Sequence, residues 1–202
     1  MAEESKNIPT KSTVTADLFA PKKGGMPGME GGQKKKRQKA ASEYKKSLTE
    51  KQTLKNLYGL RERQFKRYVG EALDKMGRVE NVSDELIKSL EKRLDNVVFR
   101  LGFAKSRAHA RQMVGHAYFL INGKPVNIPS YQVAKDDKIS IKETKKKKPM
   151  LKDTSVTLKK MEPPVWLNMN KDTWECAVVG EPSLAEVNPP VEISLVFEFY
   201  SR

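Results

Sequence analysis

The 202-residue chain predicts an α+β architecture, and three observations carry that reading. Apolar residues recur with helical spacing between residues 43 and 117, and the rhythm then changes to strand-like alternation around the turn pair Asn122-Gly123. A glycine-rich stretch without any period precedes both. The expected parts are a flexible arm over 1–33 and a helical domain over 34–91. A small α/β module follows over 92–148, with two helices and a short antiparallel sheet, and then a C-terminal segment over 149–202 whose last strand returns to the helices.

Residues 24–32 read GGMPGMEGG, which suits a flexible arm. It is not a phosphate-cradling loop, because no lysine followed by serine or threonine closes the glycines and no strand precedes them. KKKRQK, Lys34 to Lys39, leads into a first helix carrying Tyr44, Leu48, Leu54, Leu57 and Tyr58 and ending near Gly59. Phe65, Tyr68, Val69, Ala72, Leu73 and Met76 mark a second helix from Arg61, stopped by Gly77. Ser83 is the expected cap of a third, with Val82 and Ile87 as a staple. Its stripe of Leu86, Ile87, Leu90, Leu94, Val97, Val98 and Leu101 runs unbroken to Gly102. A fourth helix follows the cap Ser106 and buries Ala110, Met113, Val114 and Ala117.

Tyr118 to Ile121 and Lys124 to Val126 flank the turn of a hairpin, and Lys138 to Lys142 form another strand after the turn KDD. WECAVV, around Cys176, reads as a strand. Val191, Ile193, Leu195, Phe197 and Phe199 alternate with more polar neighbours, which predicts the terminal strand.

Lysine plus arginine number 39 against 25 acids, giving a net charge of +14 and a pI near 9.7, the balance of a polyanion-binding protein. The excess lies in two blocks of +10 each, 31–67 and 92–148, while 68–91 and 149–202 are each −3. A single cysteine and two histidines leave too few ligands for a structural metal, and no cofactor is expected. The opening residues are acidic where a secretory leader is basic, and the longest apolar stretch, Ala117 to Ile121, is far short of the ~20 residues that span a bilayer. The expectation is a cytoplasmic protein with no membrane partner and no small-molecule substrate.

Catalysis has little to draw on. His109 and His116 share a side of the fourth helix with no carboxylate or thiol in that helix to complete a triad or metal set. Cys176 sits among apolar residues as an inert small hydrophobe, and Asp136 and Asp137 belong to a turn. Binding has more. At 100° per residue the third helix carries a polar-basic stripe of Arg93, Asn96 and Arg100 beside its core stripe. Arg107 and Arg111 follow the cap Ser106 one turn apart, so hydroxyl, amides and two guanidinium forks can converge on phosphates. No acid lies within four residues of either, whereas Arg93 has the alternative of pairing with Asp95 or Glu91. Lys34, Lys35, Lys36 and Arg37 in the basic run, with Gln112, His116 and Lys124, complete the expected polyanion-contact set; no residue is expected to be catalytic or metal-binding.

RLDNVVFRLGFAKSRAHARQMVGHAYFLINGKPVNIPSYQVAKDDKISI, Arg93 to Ile141, resembles the small RNA-binding module named after ribosomal protein S-four. LKNLYGLRERQF, Leu54 to Phe65, and the terminal EFYSR resemble the bacterial-type ribosomal family itself, over roughly residues 40 to 202. With no cysteine in residues 1–41, the chain resembles the zinc-free form. The resemblance implies a helical domain with a returning C-terminal strand, plus the RNA-binding module.

It further implies a non-enzymatic constituent of the small ribosomal subunit. Such a protein is a primary binder of 16S-type ribosomal RNA that clamps a multi-helix junction early in assembly. The resemblance also implies contact with small-subunit ribosomal protein five, a role in decoding accuracy, and repression of its own messenger. Two rivals use the same features. An RNA-modifying enzyme carrying the module would need a catalytic domain larger than the residues after Lys148 provide, and a general nucleic-acid-binding protein would need only the basic blocks.

Overall fold

The computed structural model describes residues 42–146, 148, 151, 154, 158 and 162–201. The expected arm and the basic run Lys34, Lys35, Lys36 and Arg37 lie outside the described residues.

Helix α1 spans Glu43–Leu57 and starts at Ser42, whose side chain accepts from the Lys45 amide. It stops where Gly59 turns to a φ of +61°, a left-handed conformation that a Cβ disfavours. Helix α2, Glu62–Leu73, buries Phe65, Tyr68, Val69 and Ala72 of the expected stripe, but it ends three residues before Met76, which is exposed. Helix α3 is Val82–Glu91, and its cap is Asn81 rather than Ser83: the asparagine Oδ1 accepts from the Ser83 and Asp84 amides.

The third expected helix is two helices. The chain opens at Lys92 and Arg93, and α4 runs Leu94–Arg100. Tertiary partners make the break. The Leu94 and Asp95 amides donate to the carbonyls of Tyr131 and Pro129, and the Lys92 carbonyl accepts from the Val133 amide. Three backbone groups of the opened turn are thereby satisfied by a distant segment, which no local pattern encodes. Helix α5, Arg107–Gly115, begins at Ser106 as expected, with its Oγ accepting from the His109 amide.

Strands β1, Phe119–Ile121, and β2, Lys124–Val126, form the expected hairpin. Its Asn122 and Gly123 take φ of 49° and 80°, the left-handed pair that matches strand twist. Strand β3, Lys138–Ile141, pairs with β1; helix α6, Glu143–Lys146, follows. Strands β4, Leu167–Asn170, and β5, Glu175–Val178, complete an antiparallel sheet of order β2-β1-β3-β5-β4. Ile139 stands opposite Cys176, so the strand predicted around the cysteine joins the module's own sheet. Helix α7 is Leu184–Val187.

The terminal segment departs from expectation: Ile193–Ser201 is a helix, α8, not a strand. Ile193, Val196, Phe197 and Tyr200 also satisfy helical spacing, so the apolar pattern fits both periods. The surroundings decide. The segment lies against α1 and α2, where among the described residues no strand edge exists to satisfy a ladder, and a helix satisfies its own backbone. Tyr200 donates to Glu62 at 2.7 Å and the Glu192 amide to Glu50 at 3.1 Å. The Tyr44 and Phe199 rings meet at 5.7 Å.

Two hydrophobic clusters result. One joins α1, α2 and α3 with Ile193 and Val196 of α8; the other joins α4, α5 and the sheet.

Candidate nucleic-acid interface

The stretch from Glu91, at the end of α3, to Arg111 on α5 holds six of the thirteen residues expected to bind: Arg93, Asn96, Arg100, Ser106, Arg107 and Arg111. Glu91, the last residue of α3, is fully buried and its carboxylate is saturated. It accepts from the Tyr58 hydroxyl at 2.6 Å, the Asn96 amide at 2.8 Å, and Arg100 Nε and Nη2 at 2.9 and 2.8 Å. Burial pushes its pKa upward, but the Arg100, Tyr58 and Asn96 donors outweigh that and hold it below the ordinary carboxylate value. The hydrogen bond to Glu91 in turn raises the Arg100 pKa, against burial. Burial, helped by the Glu91 charge, drives the Tyr58 pKa far up, so its hydroxyl stays a donor.

Asp95, also buried, receives Arg93 through two bonds of 3.0 and 2.7 Å and Arg111 Nε at 3.0 Å. Arg93 donates onward to the Tyr68 hydroxyl at 2.7 Å, and Arg111 to the carbonyls of Gly59 and Tyr58 at 2.6 and 3.1 Å. Burial works against the Arg93 charge, and the paired Asp95 contact overcomes it, leaving the pKa raised.

Arg107 differs. Its Nε donates to Asn96 Oδ1 at 2.8 Å, and its guanidinium lies 4.8 Å from the Tyr58 ring centre and 4.6 Å from that of Phe99. Burial lowers its pKa, with the Glu91 charge opposing. In this network four guanidinium groups face two carboxylates, so the cluster keeps a positive surplus on its half-exposed side, where Arg100, Arg107 and Arg111 emerge.

The expected contact set therefore divides. Arg93 at 3% exposure and Asn96 at 1% are enclosed, with their donors committed inside the protein, so neither reaches a polyanion directly. Arg93 leaves the polar-basic stripe of the expected helix because it precedes α4 in extended conformation. Its pairing with Asp95 is the alternative that the sequence offered, realised in the interior. Ser106, Gln112 and His116 are exposed along α5, and Lys124 is exposed on β2 at the hairpin.

The sequence offered Asp95 to Arg93 but gave no sign of Tyr68 as its second partner, of Glu91 as the partner of Arg100, or of Asp95 and the Tyr58 carbonyl as partners of Arg111, the last of them 53 positions away. Sequence reasoning also passed over Arg63, Lys66 and Arg67, which form an exposed basic stripe on α2 at helical spacing. Their position in the first +10 block was the available signal. Among the described residues no group of three or more histidine, cysteine, aspartate or glutamate side chains could hold a metal, and no helix is long and apolar enough to cross a membrane.

Two helices packed on a short antiparallel sheet, with surplus arginine charge at their shared end and a helical body locked alongside, define an RNA-binding module of the S4 class on a ribosomal-type scaffold. Residues 92–139 match the S4 domain family, and residues 6–91 match the ribosomal protein S4/S9 N-terminal domain. The chain is 41% identical over 93% of its length to the small ribosomal subunit protein uS4 of Persephonella marina, covering 91% of that protein. It is 44% identical to the Aquifex aeolicus protein of that name and 43% to that of Halothermothrix orenii, in each case over 85% of this chain and 81% of the relative. The chain belongs to the uS4 family of small ribosomal subunit proteins, structural constituents of the ribosome and not enzymes.

Proposed function

We propose that the protein binds small-subunit ribosomal RNA as a clamp, gripping a multi-helix junction between the helical domain of residues 34–91 and the module of residues 92–148, and so nucleates folding of that RNA during assembly. The surplus of guanidinium charge at the start of α5 supports this reading best. Arg100, Arg107 and Arg111 are held by fixed partners with forks half exposed, and the exposed stripe of Arg63, Lys66 and Arg67 supplies a second cationic surface. Such surfaces recognise backbone geometry, because side chains do not enter the deep groove of A-form RNA. On this reading Arg100, Ser106, Arg107, Arg111, Gln112, His116 and Lys124 touch RNA, while Arg93 and Asn96 support them. The family relationship extends the proposal to a cytoplasmic location within the small subunit, a contact with small-subunit ribosomal protein five, and an influence on translational accuracy.

Competition binding tests it. Retention of small-subunit ribosomal RNA in the presence of excess duplex DNA is the expected result. Equal affinity for both would leave only a general nucleic-acid-binding protein.

A further inference from the structure

Glu91 and Asp95 sit beside a surface that, on the reading above, attracts phosphates. Two carboxylates there weaken the attraction, and burying them costs their hydration. Geometry is what they supply in return. Glu91 joins the end of α3 to Tyr58, after α1, and to Asn96 and Arg100 on α4. Asp95 gathers Arg93, which reaches Tyr68 on α2, and Arg111, which reaches the Tyr58 and Gly59 carbonyls. Every one of these chains of bonds crosses from the α4–α5 cluster to the α1–α3 cluster.

We propose that Glu91 and Asp95 are positioning residues for RNA binding. They fix the bend between α1 and α2 onto α4 and α5, so that the Arg63–Lys66–Arg67 stripe and the first turn of α5 meet RNA at one set spacing. Two sites on one rigid body bind as a chelate, and loosening the joint lowers the effective concentration of the second site without removing any phosphate contact. The proposal rests on the ribosomal RNA reading.

The opposing electrostatic effect makes it testable by sign. Removing a carboxylate raises the net positive charge, so charge alone predicts tighter RNA binding, whereas a lost joint predicts weaker binding. Full-length Glu91→Gln and Asp95→Asn chains are titrated against small-subunit ribosomal RNA over a range of salt. Affinity is expected to fall about tenfold, on the scale of a lost intramolecular second site, while the slope of log affinity against log salt stays unchanged because no contact is deleted. In parallel, spin labels at Thr53→Cys on α1 and Asn168→Cys on β4 report the spacing of the two clusters, and the distance distribution is expected to broaden in both variants.

Unchanged or tighter binding, or a slope that drops by nearly a unit, would overturn the proposal. If either carboxylate variant fails to fold, Tyr58→Phe decides: it removes one hydroxyl while keeping the ring under Arg107 and the net charge. A fall of about threefold at constant slope is expected for it, and an unchanged affinity sinks the proposal. Should the wild-type chain show no preference for ribosomal RNA, the functional reading fails by itself. The label distances then still test the joint, narrow in wild type and broad in the variants if it exists, and equally narrow if it does not.

Discussion

Arg111 donates through Nη1 to the carbonyl oxygen of Gly59, 52 positions earlier, at 2.6 Å. The same guanidinium holds Asp95 with its Nε and the Tyr58 carbonyl with its other terminal nitrogen. One planar fork thus reaches three acceptors on two elements, and the left-handed turn at Gly59 presents two of them.

Arg111→Lys retains the charge and loses the fork. A lysine ammonium cannot span the three acceptors in their fixed directions, so two carbonyls lose their donor. A stability loss of ~1–3 kcal/mol is expected in urea denaturation, with the net charge unchanged. An unaltered midpoint would show that the fork is dispensable.

Arg107→Ala should leave the fold intact and weaken RNA binding. Among the described residues it makes one side-chain hydrogen bond and lies over two ring faces, worth ~1–2 kcal/mol together. The slope of log affinity against log salt is expected to shrink by roughly 0.7–0.9 for the lost phosphate contact, in a titration with small-subunit ribosomal RNA. A slope equal to wild type would remove Arg107 from the contact surface.

The helical state of α8 predicts which apolar residue matters. Val196 is fully buried and Leu195 is half-exposed, whereas a strand would place Leu195 on the same face as Ile193 and Phe197. Val196→Ala is expected to cost ~2 kcal/mol and Leu195→Ala well under 1 kcal/mol by chemical denaturation. The reverse order would restore the strand.

Glu62 makes stability sensitive to acid. Burial pushes its pKa upward, but Lys51, Tyr200 and Lys55 hydrogen-bond the carboxylate and bring it down to about 2. Because the folded value lies below the unfolded one, near 4.5, the contribution is present above pH 4.5 and is lost as pH falls toward 2. The side chain is half-exposed, so screening keeps the effect modest. Urea midpoints from pH 6 to pH 2 should fall less steeply in Glu62→Gln than in wild type.

Cys176 lies between β3 and β4 in the sheet, and burial pushes its thiol up to about 12. At pH 8 a thiol reagent is expected to label the folded protein negligibly and the urea-unfolded chain completely. Fast labelling without denaturant would show that the sheet opens locally.

Local chemistry was legible where a residue acts on its near neighbours. Ser106 caps its helix because a hydroxyl reaches an amide three residues on, and Asn122-Gly123 makes the hairpin because both residues tolerate positive φ. The α2 stripe and strands β1 to β3 follow from period alone. Strand β4 was not legible. LNMN carries two asparagines and is a strand because β5 offers it a ladder.

The sequence by itself determined the α+β class and the start of α5 with its arginine pair, which depend on spacings of a few residues, and the two basic blocks, which depend on composition alone. Tertiary structure decided the break between α3 and α4, the helical state of α8, and which arginines face solvent. Those outcomes hang on partners far along the chain: the Tyr131 and Pro129 carbonyls that open the helix, the α1 surface that gives α8 no strand edge, and the buried Asp95 that encloses Arg93 while leaving Arg111 half out. A charge's local spacing says what it can bind; only the acids that folding brings beside it say whether it is still available to bind.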